Sequence, residues 1–239
     1  MTFISVVLPV HNEAENIEAL IREIQAARLG YPFEIITVDD ASSDSTLTIL
    51  QRLKQDTPEL RILQHKENYG QSAALATGVY HARGDIIVTM DGDGQNNPAD
   101  IPRLLNRFME QSPPGLQMVA GFRRKRNDSW WRIVSSRLAN AVRGYLLKDG
   151  TPDTGCGLKV FYKATFERLP FFDHMHRFLP ALVQMRGGRV VSVEVSHRER
   201  KHGISHYGTM NRLFAGIIDI AGVSWLQRRS KIIELRMED

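Results

Sequence analysis

Cysteine is nearly absent from this chain: Cys156 is the only one among 239 residues. A single cysteine excludes an internal disulfide and any zinc site built from cysteines alone. The eight histidines lack the metalloprotease pattern of two histidines four apart with a catalytic glutamate, since no glutamate lies between His202 and His206. The composition therefore excludes a disulfide-stapled domain and argues against a zinc enzyme.

Apolar runs long enough to cross a bilayer are lacking too. The segment 213–226 is apolar except for Asp219 and Ser224, but spanning requires roughly 20 apolar residues. Basic residues flank this segment, namely Arg212, Arg228, Arg229 and Lys231. Two interpretations stay open: an interfacial helix held on a membrane surface by basic anchors, and a helix packed on the domain or on a second subunit.

An export signal is missing from the first residues, which show no basic region followed by an apolar stretch and a small-residue cleavage site. We therefore expect a cytoplasmic protein. Charge is divided unevenly: the first 120 residues carry 9 Lys and Arg against 16 Asp and Glu, and the remaining 119 carry 22 against 11. A basic half suits phosphate groups, anionic lipid headgroups or nucleic acid, or else it is a solvated basic face.

Strand and helix patterns alternate through the first half of the chain. Strand-like runs at 4–9, 33–38, 60–64 and 85–90 are separated by helical patterns at 13–25, 44–55 and 71–82. Such alternation predicts crossover connections and a doubly wound, mainly parallel α/β sheet. A helix at 98–111 and strands at 117–121, 159–162 and 189–195 extend the pattern. Asn12 is predicted to cap the first helix, and Ser43 or Asp44 the second.

Two carboxylates and an amide follow the buried strand 85–90, in the sequence Asp91-Gly92-Asp93-Gly94-Gln95. In open α/β sheets, ligands bind just beyond the carboxyl ends of the strands. Oxygen ligands at that position suit Mg²⁺ or Mn²⁺ holding a diphosphate. Asp and Gly are also common in ordinary turns, so the motif by itself leaves both interpretations open.

Four motifs in order resemble the family 2 glycosyltransferases of GT-A fold. They are Val7-Leu8-Pro9-Val10-His11-Asn12-Glu13, Val38-Asp39-Asp40-Ala41-Ser42-Ser43-Asp44-Ser45-Thr46, Asn68-Tyr69-Gly70-Gln71 and Asp91-Gly92-Asp93-Gly94-Gln95. The chain is most similar to the polyprenyl-phosphate branch, which includes dolichol-phosphate mannosyltransferase and bacterial undecaprenyl-phosphate sugar transferases. Three later segments extend the resemblance to about residue 229: Gly121-Phe122-Arg123, Asp153-Thr154-Gly155-Cys156-Gly157-Leu158-Lys159 and Arg200-Lys201-His202-Gly203-Ile204-Ser205.

The resemblance implies a role for each motif. A divalent metal, Mg²⁺ or Mn²⁺, would be held by Asp91, Asp93 and Gln95. The nucleotide-sugar donor would be bound by Pro9, Val10, Asn12, Glu13, Asp39, Asp40, Asp44, Gln71, Asp91, Gly92, Asp93 and Gln95. The predicted catalytic residues are Asp93, Asp153, Arg123 and Arg200, the arginines stabilising charge on the leaving phosphate.

Simple structural roles are the alternative for some of these acids. The carboxylates of Asp39 and Asp40 can accept hydrogen bonds from ribose hydroxyls or a base edge, or they can order the turn. Asp44 can cap a helix. Asp153 can position the acceptor or act as a weak base, or it can be a turn residue before Gly155.

A phosphate acceptor fits the absence of an evident strong base. A lipid monophosphate, with a second pKa of about 6, is largely ionised near neutral pH, whereas a sugar hydroxyl needs a base to remove its proton. Arg137, Arg200 and Lys201 are candidates to meet that phosphate. His206 stands where similar enzymes commonly carry lysine and would be charged only at lower pH.

We therefore predict inverting transfer of a sugar from a nucleotide sugar, GDP-mannose or a UDP-sugar, to a polyprenyl (dolichyl or undecaprenyl) phosphate at the cytoplasmic membrane face. The predicted GT-A domain covers 1–211, with a nucleotide-sugar half at 1–121 and an acceptor half at 122–211. An interfacial helix and basic tail follow at 212–239. The expected partners are the nucleotide sugar, the lipid phosphate, an anionic membrane surface, and a second copy or a membrane protein.

Three other functions compete with this prediction. The first is a family 2 enzyme that glycosylates a saccharide or protein hydroxyl. The second is a basic nucleic-acid-binding protein, which the acidic first half and the scarcity of aromatics in the basic run, only Trp130 and Trp131, argue against. The third is a catalytically silent scaffold that binds the donor.

Overall fold

The structure is a computed structural model that describes residues 2–123, 143–144, 146–147, 149–198 and 209–231. The strands are β1 (Ile4–Val10), β2 (Phe33–Asp39), β3 (Leu60–Gln64), β4 (Ile86–Thr89), β5 (Leu116–Arg123), β6 (Lys159–Tyr162) and β7 (Arg189–Val195). The α-helices are α1 (Ile17–Ala26), α2 (Thr46–Asp56), α3 (Gln71–Tyr80), α4 (Ile101–Met109), α5 (Lys163–Glu167), α6 (Leu179–Met185) and α7 (Thr209–Arg229). Two short 3-10 helices occupy Pro98–Asp100 and Met175–Arg177.

The strands form one sheet in the order β3-β2-β1-β4-β6-β5-β7. β1, β2, β3 and β4 are parallel neighbours, as are β5 and β7. β6 runs antiparallel between β4 and β5. The predicted doubly wound, mainly parallel α/β sheet is therefore confirmed, and the reversed β6 is an addition, because a buried apolar run does not reveal its own direction.

Helices cover both faces of the sheet, and the alternation of side chains along each strand explains why. In β1, Val6 and Leu8 belong to one apolar cluster, with α1, α2 and α4, while Val7 belongs to the other, with α3, α5, α6 and α7. Strands buried on both faces need continuous apolar sequence. The run Ile86–Thr89 meets this requirement and is buried throughout.

A topological switch lies between β1 and β4. The chain leaves β1 toward β2 and β3 on one side and returns to β4 on the other side. At such a point the loops that follow the two strands diverge and leave a crevice at their carboxyl ends. The segments after Val10 and after Thr89 therefore border the same crevice.

The first helix begins later than its pattern predicted, at Ile17 rather than near Glu13. The backbone N–H groups of Asn16 and Ile17 donate to the Glu13 carbonyl in a turn. The expected cap at Asn12 is wrong: this residue has φ +55 and uses its side chain elsewhere. The segment between β1 and α1 is therefore a non-helical loop at the edge of the crevice.

In the part of helix α7 whose side chains the structure describes, residues 216–229, one side packs against the domain. Val223 is buried, and Ile220 and Leu226 pack against the same apolar cluster. Ile218 and Trp225 are 70% and 61% exposed. The packed interpretation of this segment is thus confirmed for one side of the helix, and the other side carries large apolar residues in contact with solvent.

No helix in the described ranges is long and apolar enough to cross a membrane.

Candidate active site

A cleft of about 260 Å³ opens at the carboxyl ends of β1 and β4. Its walls come from the ends of these strands, the start of α3, the segment before β6, and the 3-10 helix Met175–Arg177. The lining residues are Pro9, Gln71, Leu75, Thr89, Met90, Asp91, Thr154, Gly155, Cys156, Gly157, Lys159, His176, Arg177 and Leu179. The predicted donor and metal residues Pro9, Gln71 and Asp91 thus meet in one cleft.

Asp91 is held in a defined position on the cleft wall. Gln71 Nε2 donates a hydrogen bond of 2.7 Å to Asp91 Oδ1. The α-carbon of Gly157 lies against the carboxylate, since an added Cβ there would be 2.4 Å from Asp91 Cγ. Burial, with the nearby charge of Asp93, raises the pKa of Asp91 to about 6, against the opposing charges of Lys159 and Arg123.

The turn after Asp91 is compact. Gly92 packs on the end of β1, because an added Cβ would lie 2.8 Å from Val10 Cγ1. Asp93 Oδ1 accepts a hydrogen bond of 3.0 Å from the Gln95 backbone N–H. This bond uses one oxygen of Asp93 to order the loop, and both acids remain on one short turn.

The two acids that end β2 differ in their surroundings. Asp40 is occupied by the protein itself: its Oδ1 accepts from Tyr69 N at 2.9 Å and lies 2.7 Å from His65 Nδ1, and its Oδ2 accepts from Gly70 N at 2.8 Å. Asp40 therefore fastens the loop that leads into α3. The structure places it as a loop anchor, next to the predicted donor contact Asp39.

Asp39 is completely buried, and only one of its two carboxylate oxygens accepts a hydrogen bond from the described residues. Its Oδ1 accepts from Ser42 N at 3.3 Å, while Oδ2 has no hydrogen-bond partner among the residues that the structure describes. A buried carboxylate oxygen without a partner carries a substantial free-energy cost. A ligand N–H or O–H donor would remove that cost.

Asn12 and Asp44 join the β1 and β2 loops to each other. Asn12 Oδ1 accepts from Ser43 N at 2.7 Å. Asp44 Oδ2 accepts from Ala14 N at 3.2 Å and Asp44 Oδ1 from Thr46 N at 2.9 Å, and these bonds, working against burial, lower the pKa of Asp44. Asp44 accordingly orders the start of α2.

Glu13 belongs to the same junction. Its backbone N–H donates to Thr46 Oγ1 at 2.9 Å, and its carboxylate accepts from Asn16 Nδ2 at 2.7 Å. The β1 loop is therefore tied to the start of α2, and the side chain is bonded to the turn that precedes α1.

Arg123 and Asp153, both predicted as catalytic, form a bidentate pair with each other. Arg123 Nε lies 2.6 Å from Asp153 Oδ2, and Nη2 lies 3.0 Å from Oδ1. Their side chains are 10% and 11% exposed. Burial alone would lower the pKa of Arg123, but the hydrogen bonds and charge of Asp153 raise it. A carboxylate that accepts two bonds from a guanidinium is a poor base.

Arg200, Arg137, Lys201 and His206 lie outside the described residues. Arg198 is anchored beside the predicted metal motif, because Arg198 N donates to the Gln95 carbonyl at 3.1 Å. Arg198 Nη2 also donates to Asn97 Oδ1 at 2.6 Å. These contacts place the start of the basic segment next to Gln95.

Three basic residues that line the cleft were not predicted as site residues: Lys159, His176 and Arg177. Lys159 is buried, its ammonium donates to the backbone carbonyls of Cys156 and Thr154, and burial lowers its pKa. Its position at the end of the Asp153–Lys159 motif was the available signal. For His176 and Arg177, which follow no strand of the pattern, the sequence offered none.

The donor set fits a divalent cation that is also bound by substrate. No group of three or more His, Cys, Asp or Glu side chains in the described ranges forms a complete metal site. Mg²⁺ is usually bound by one or two carboxylates together with substrate phosphates. Asp91 and Asp93 provide two carboxylates close enough for the charge of one to raise the pKa of the other.

Relatives with curated names share about a third of their residues with this chain. A dodecaprenyl-phosphate galacturonate synthase of Rhizobium johnstonii is 35% identical over 231 residues, which cover 94% of this chain and 67% of that protein. An undecaprenyl-phosphate 4-deoxy-4-formamido-L-arabinose transferase of Edwardsiella ictaluri is 35% identical over 212 residues, covering 87% and 64%. The chain therefore spans about two thirds of the length of these relatives.

Solved structures share the fold at lower identity. A mannosyltransferase from Pyrobaculum calidifontis in complex with GDP-Man and Mn²⁺ superposes with a TM-score of 0.70 at 22% identity, over 96% of this chain and 65% of that one. Glucosyl-3-phosphoglycerate synthase from Mycobacterium tuberculosis, in complex with Mn²⁺, UDP-glucose and glycerol 3-phosphate, has a TM-score of 0.68 at 19% identity, over 95% and 80%.

The GT-A fold predicted from the motifs is confirmed by these neighbours. The named relatives are polyprenyl-phosphate sugar transferases, the branch that the motifs resemble. The family model for glycosyl transferase family 2 matches residues 5–170, a span that includes the β1, β2 and β4 loops around the cleft. The chain therefore belongs to glycosyl transferase family 2.

Proposed function

We propose that this chain transfers a sugar from a nucleotide sugar to a polyprenyl phosphate, with inversion at the anomeric carbon. The two named relatives act on such lipids by their names, and three of the residues predicted to bind the donor or the metal, Pro9, Gln71 and Asp91, line the cleft. The observation that favours a phosphate acceptor is the Arg123–Asp153 pair, because it occupies the carboxylate that a hydroxyl acceptor would need as its base.

The nucleoside of the donor would lie against the ends of β1 and β2. The partnerless Oδ2 of Asp39 would accept a hydrogen bond from the base or the ribose. Asp40 keeps the neighbouring loop in place through Tyr69 and Gly70. Pro9 lines the cleft, and Val10 follows it at the end of β1.

The diphosphate would be held through Asp91 and Asp93. A divalent cation bound there supplies Lewis-acid stabilisation of the charge that grows on the leaving phosphate. Gln71 orients Asp91, and Gly157 lets the carboxylate lie flat against the backbone. Gln95 would complete this site from the same turn.

The acceptor would enter from the side of the segment 151–159 and the basic residues that follow β7. Asp91 is the one carboxylate among the described residues that line the cleft. An ionised lipid phosphate needs no proton removed before it attacks the anomeric carbon. Arg123 orders the segment before β6 through Asp153, and we assign Arg200 to contact with a phosphate.

The membrane contact would be made by α7 and the basic tail. Ile217, Ile218 and Trp225 are exposed on this helix, and Arg228, Arg229 and Lys231 follow. Exposed apolar side chains beside basic residues are typical of helices that bind the surface of anionic membranes. We place this contact at the cytoplasmic face, with the predicted division at 1–211 and 212–239 as the catalytic and membrane-binding parts.

The test is glycolipid formation by the purified chain. Undecaprenyl phosphate is incubated with Mn²⁺ or Mg²⁺ and a panel of GDP- and UDP-sugars, and the product is identified by mass spectrometry. Asp93→Ala is the inactive variant, and Asp56→Ala, an exposed acid at the end of α2, is the matched control. A lipid-linked sugar formed by the wild type and by Asp56→Ala, but not by Asp93→Ala, is the expected result. Transfer only to saccharide hydroxyls would contradict the proposal.

A further inference from the structure

One wall of the cleft carries none of the residues predicted to bind the metal or the nucleotide. It consists of His176 and Arg177, from the 3-10 helix Met175–Arg177. Both side chains line the same cleft as Asp91, and both are half-buried. A sugar or an acceptor bound in the cleft next to Asp91 would contact this wall.

His176 is held by α3 and stays neutral. Its Nδ1 lies 2.8 Å from Ser72 Oγ, and that hydroxyl also accepts from the His176 backbone N–H at 3.4 Å. Burial, and after it the positive charges of Arg177, Lys159 and His174, lowers the pKa of His176 to about 3. The imidazole is therefore a neutral group at physiological pH.

Arg177 is the permanent positive charge of this wall. Among the described residues, no carboxylate lies within ion-pair distance of its guanidinium. The acid nearest to Arg177 in the sequence is Asp173, and the acid of α7 is Asp219. Both lie beside His174, at 3.6 Å and 3.0 Å. The other cation of the cleft, Lys159, donates to backbone carbonyls.

A guanidinium that has no ion-pair partner among the described residues is costly to desolvate when a substrate covers it. The cost is repaid if the substrate brings its own anion, and the planar fork of Arg matches carboxylate and phosphate oxygens with two hydrogen bonds. A neutral sugar without an anionic group would leave the charge covered and without a partner.

We propose that Arg177 binds the anionic oxygens of a substrate inside the cleft, either the carboxylate of an acidic donor sugar or the phosphate of the lipid acceptor. This inference rests on the proposed function, because it gives a task to a residue of the same cleft. Arg177 would be a specificity-determining residue, with His176 fixing the wall through Ser72.

The experiment measures binding with two matched ligand pairs, so that it does not depend on turnover. UDP-galacturonate and UDP-galactose, titrated in the presence of Mn²⁺, differ in a carboxylate. Farnesyl phosphate and farnesol differ in a phosphate. Each ligand is titrated into the wild type, Arg177→Gln and Arg177→Lys, with Arg186→Gln, an exposed arginine at the end of α6, as the matched control.

A charge-assisted bidentate contact predicts a loss of about 10- to 100-fold in affinity for one anionic ligand in Arg177→Gln. Loss for UDP-galacturonate alone, with UDP-galactose unchanged, assigns the guanidinium to a sugar carboxylate. Loss for farnesyl phosphate alone, with farnesol unchanged, assigns it to the lipid phosphate. In both cases Arg177→Lys should recover part of the affinity, since it keeps the charge but loses the fork.

The inference is overturned if Arg177→Gln binds all four ligands as Arg186→Gln does. It is also overturned if the affinity for UDP-galactose falls as much as the affinity for UDP-galacturonate, since the guanidinium would then act on the nucleotide that both ligands share. The proposed function fails independently, when the wild type forms no glycolipid with any donor. The two failures are therefore distinguishable.

Discussion

Gln71, the first residue of α3, donates a hydrogen bond of 2.7 Å to Asp91, which follows β4. The two residues are separated by a helix and a strand in the chain, and the crossover brings them together at the switch point. The bond occupies Oδ1 of Asp91 and leaves Oδ2 for the proposed metal. Residues that orient a ligating carboxylate commonly change metal affinity by about 10- to 100-fold.

Replacing Gln71 should therefore weaken metal-dependent donor binding without unfolding the protein. Gln71→Ala is expected to raise the apparent Mn²⁺ requirement by about 10-fold or more, measured as UDP binding against Mn²⁺ concentration. Gln55→Ala, at an exposed position of α2, is the matched control. Equal Mn²⁺ dependence in the two variants would show that the bond does not orient a ligand.

Gly157 should tolerate no side chain. Gly157→Ala would place a Cβ 2.4 Å from the Asp91 carboxylate, so Asp91 must move from its bond with Gln71. We expect glycosyl transfer to fall by at least about 10-fold, since displaced ligands lose affinity on this scale. Gly144→Ala, where a Cβ meets nothing within 4 Å, should keep wild-type activity. Wild-type activity in Gly157→Ala would contradict the proposal that Gly157 makes room for the Asp91 carboxylate.

Metal-dependent donor binding should weaken in mild acid. Burial and Asp93 raise the pKa of Asp91 to about 6, so protonation competes with the cation below that pH. Mn²⁺-dependent UDP binding, titrated between about pH 5 and 8, should fall as the pH drops through about 6. Asp91→Asn should lack both the binding and this pH dependence. Flat binding across the range in the wild type would contradict the assignment of Asp91 as a ligand.

Glu34 should stabilise the fold from the opposite end of the sheet. It is 3% exposed, and its carboxylate meets Ser5 Oγ at 2.7 Å, Arg83 N at 2.7 Å and Arg61 Nη1 at 2.6 Å. Burial alone would raise its pKa, but the bonds from Arg61, Arg83 and Ser5 together lower it. Charged Glu34 therefore stabilises the folded state relative to the unfolded chain.

The corresponding test is urea unfolding of Glu34→Gln, expected to cost about 1–3 kcal/mol near pH 7. Because the folded-state pKa is lowered, this stability is fully present above the unfolded-state pKa and is lost as the pH falls through the folded-state pKa. The difference from wild type should shrink in acid. Glu67→Gln, at an exposed position, should change little at any pH.

Binding to anionic vesicles should depend on the exposed side of α7. Trp225→Ser combined with Ile218→Ser removes two side chains that are 61% and 70% exposed, so the fold should survive. The affinity for vesicles should fall by about 10-fold or more, because apolar burial contributes roughly 25 cal/mol per Å². Co-sedimentation with vesicles containing anionic lipid measures this. Tyr80→Ser, exposed at the end of α3, is the control. Equal sedimentation of the α7 double variant and Tyr80→Ser would contradict a membrane role of α7.

Sequence reasoning predicted the sheet and the position of the turn that carries Asp91 and Asp93, because both depend on local patterns. Continuous apolar runs identified β1, β2 and β4, and polar residues at their ends predicted the edge of the sheet at which the cleft opens. Direction is not encoded in such a run, which explains why the antiparallel β6 was not recognised. The short helices at 175–185 were missed because they are too brief for a periodic pattern.

The roles of single acids depended on contacts across the chain. Asp39 and Asp40 are neighbours of the same type, yet only the tertiary structure separates them, by giving Asp40 the partners Tyr69, Gly70 and His65 and leaving an oxygen of Asp39 without one. Arg123 and Asp153 were predicted as two catalytic groups and lie as a bidentate pair.

The sequence by itself determined the family, the α/β architecture and the turn that carries Asp91 and Asp93, because periodicity and short motifs are local properties of the chain. Only the tertiary structure decided which side chains share the cleft. Gln71 stands 20 residues before Asp91 in the chain, and Arg177 follows much later, yet all three line the cleft. The physical reason is that burial, hydrogen-bond partners and neighbouring charges depend on distances in space, which residue spacing does not determine.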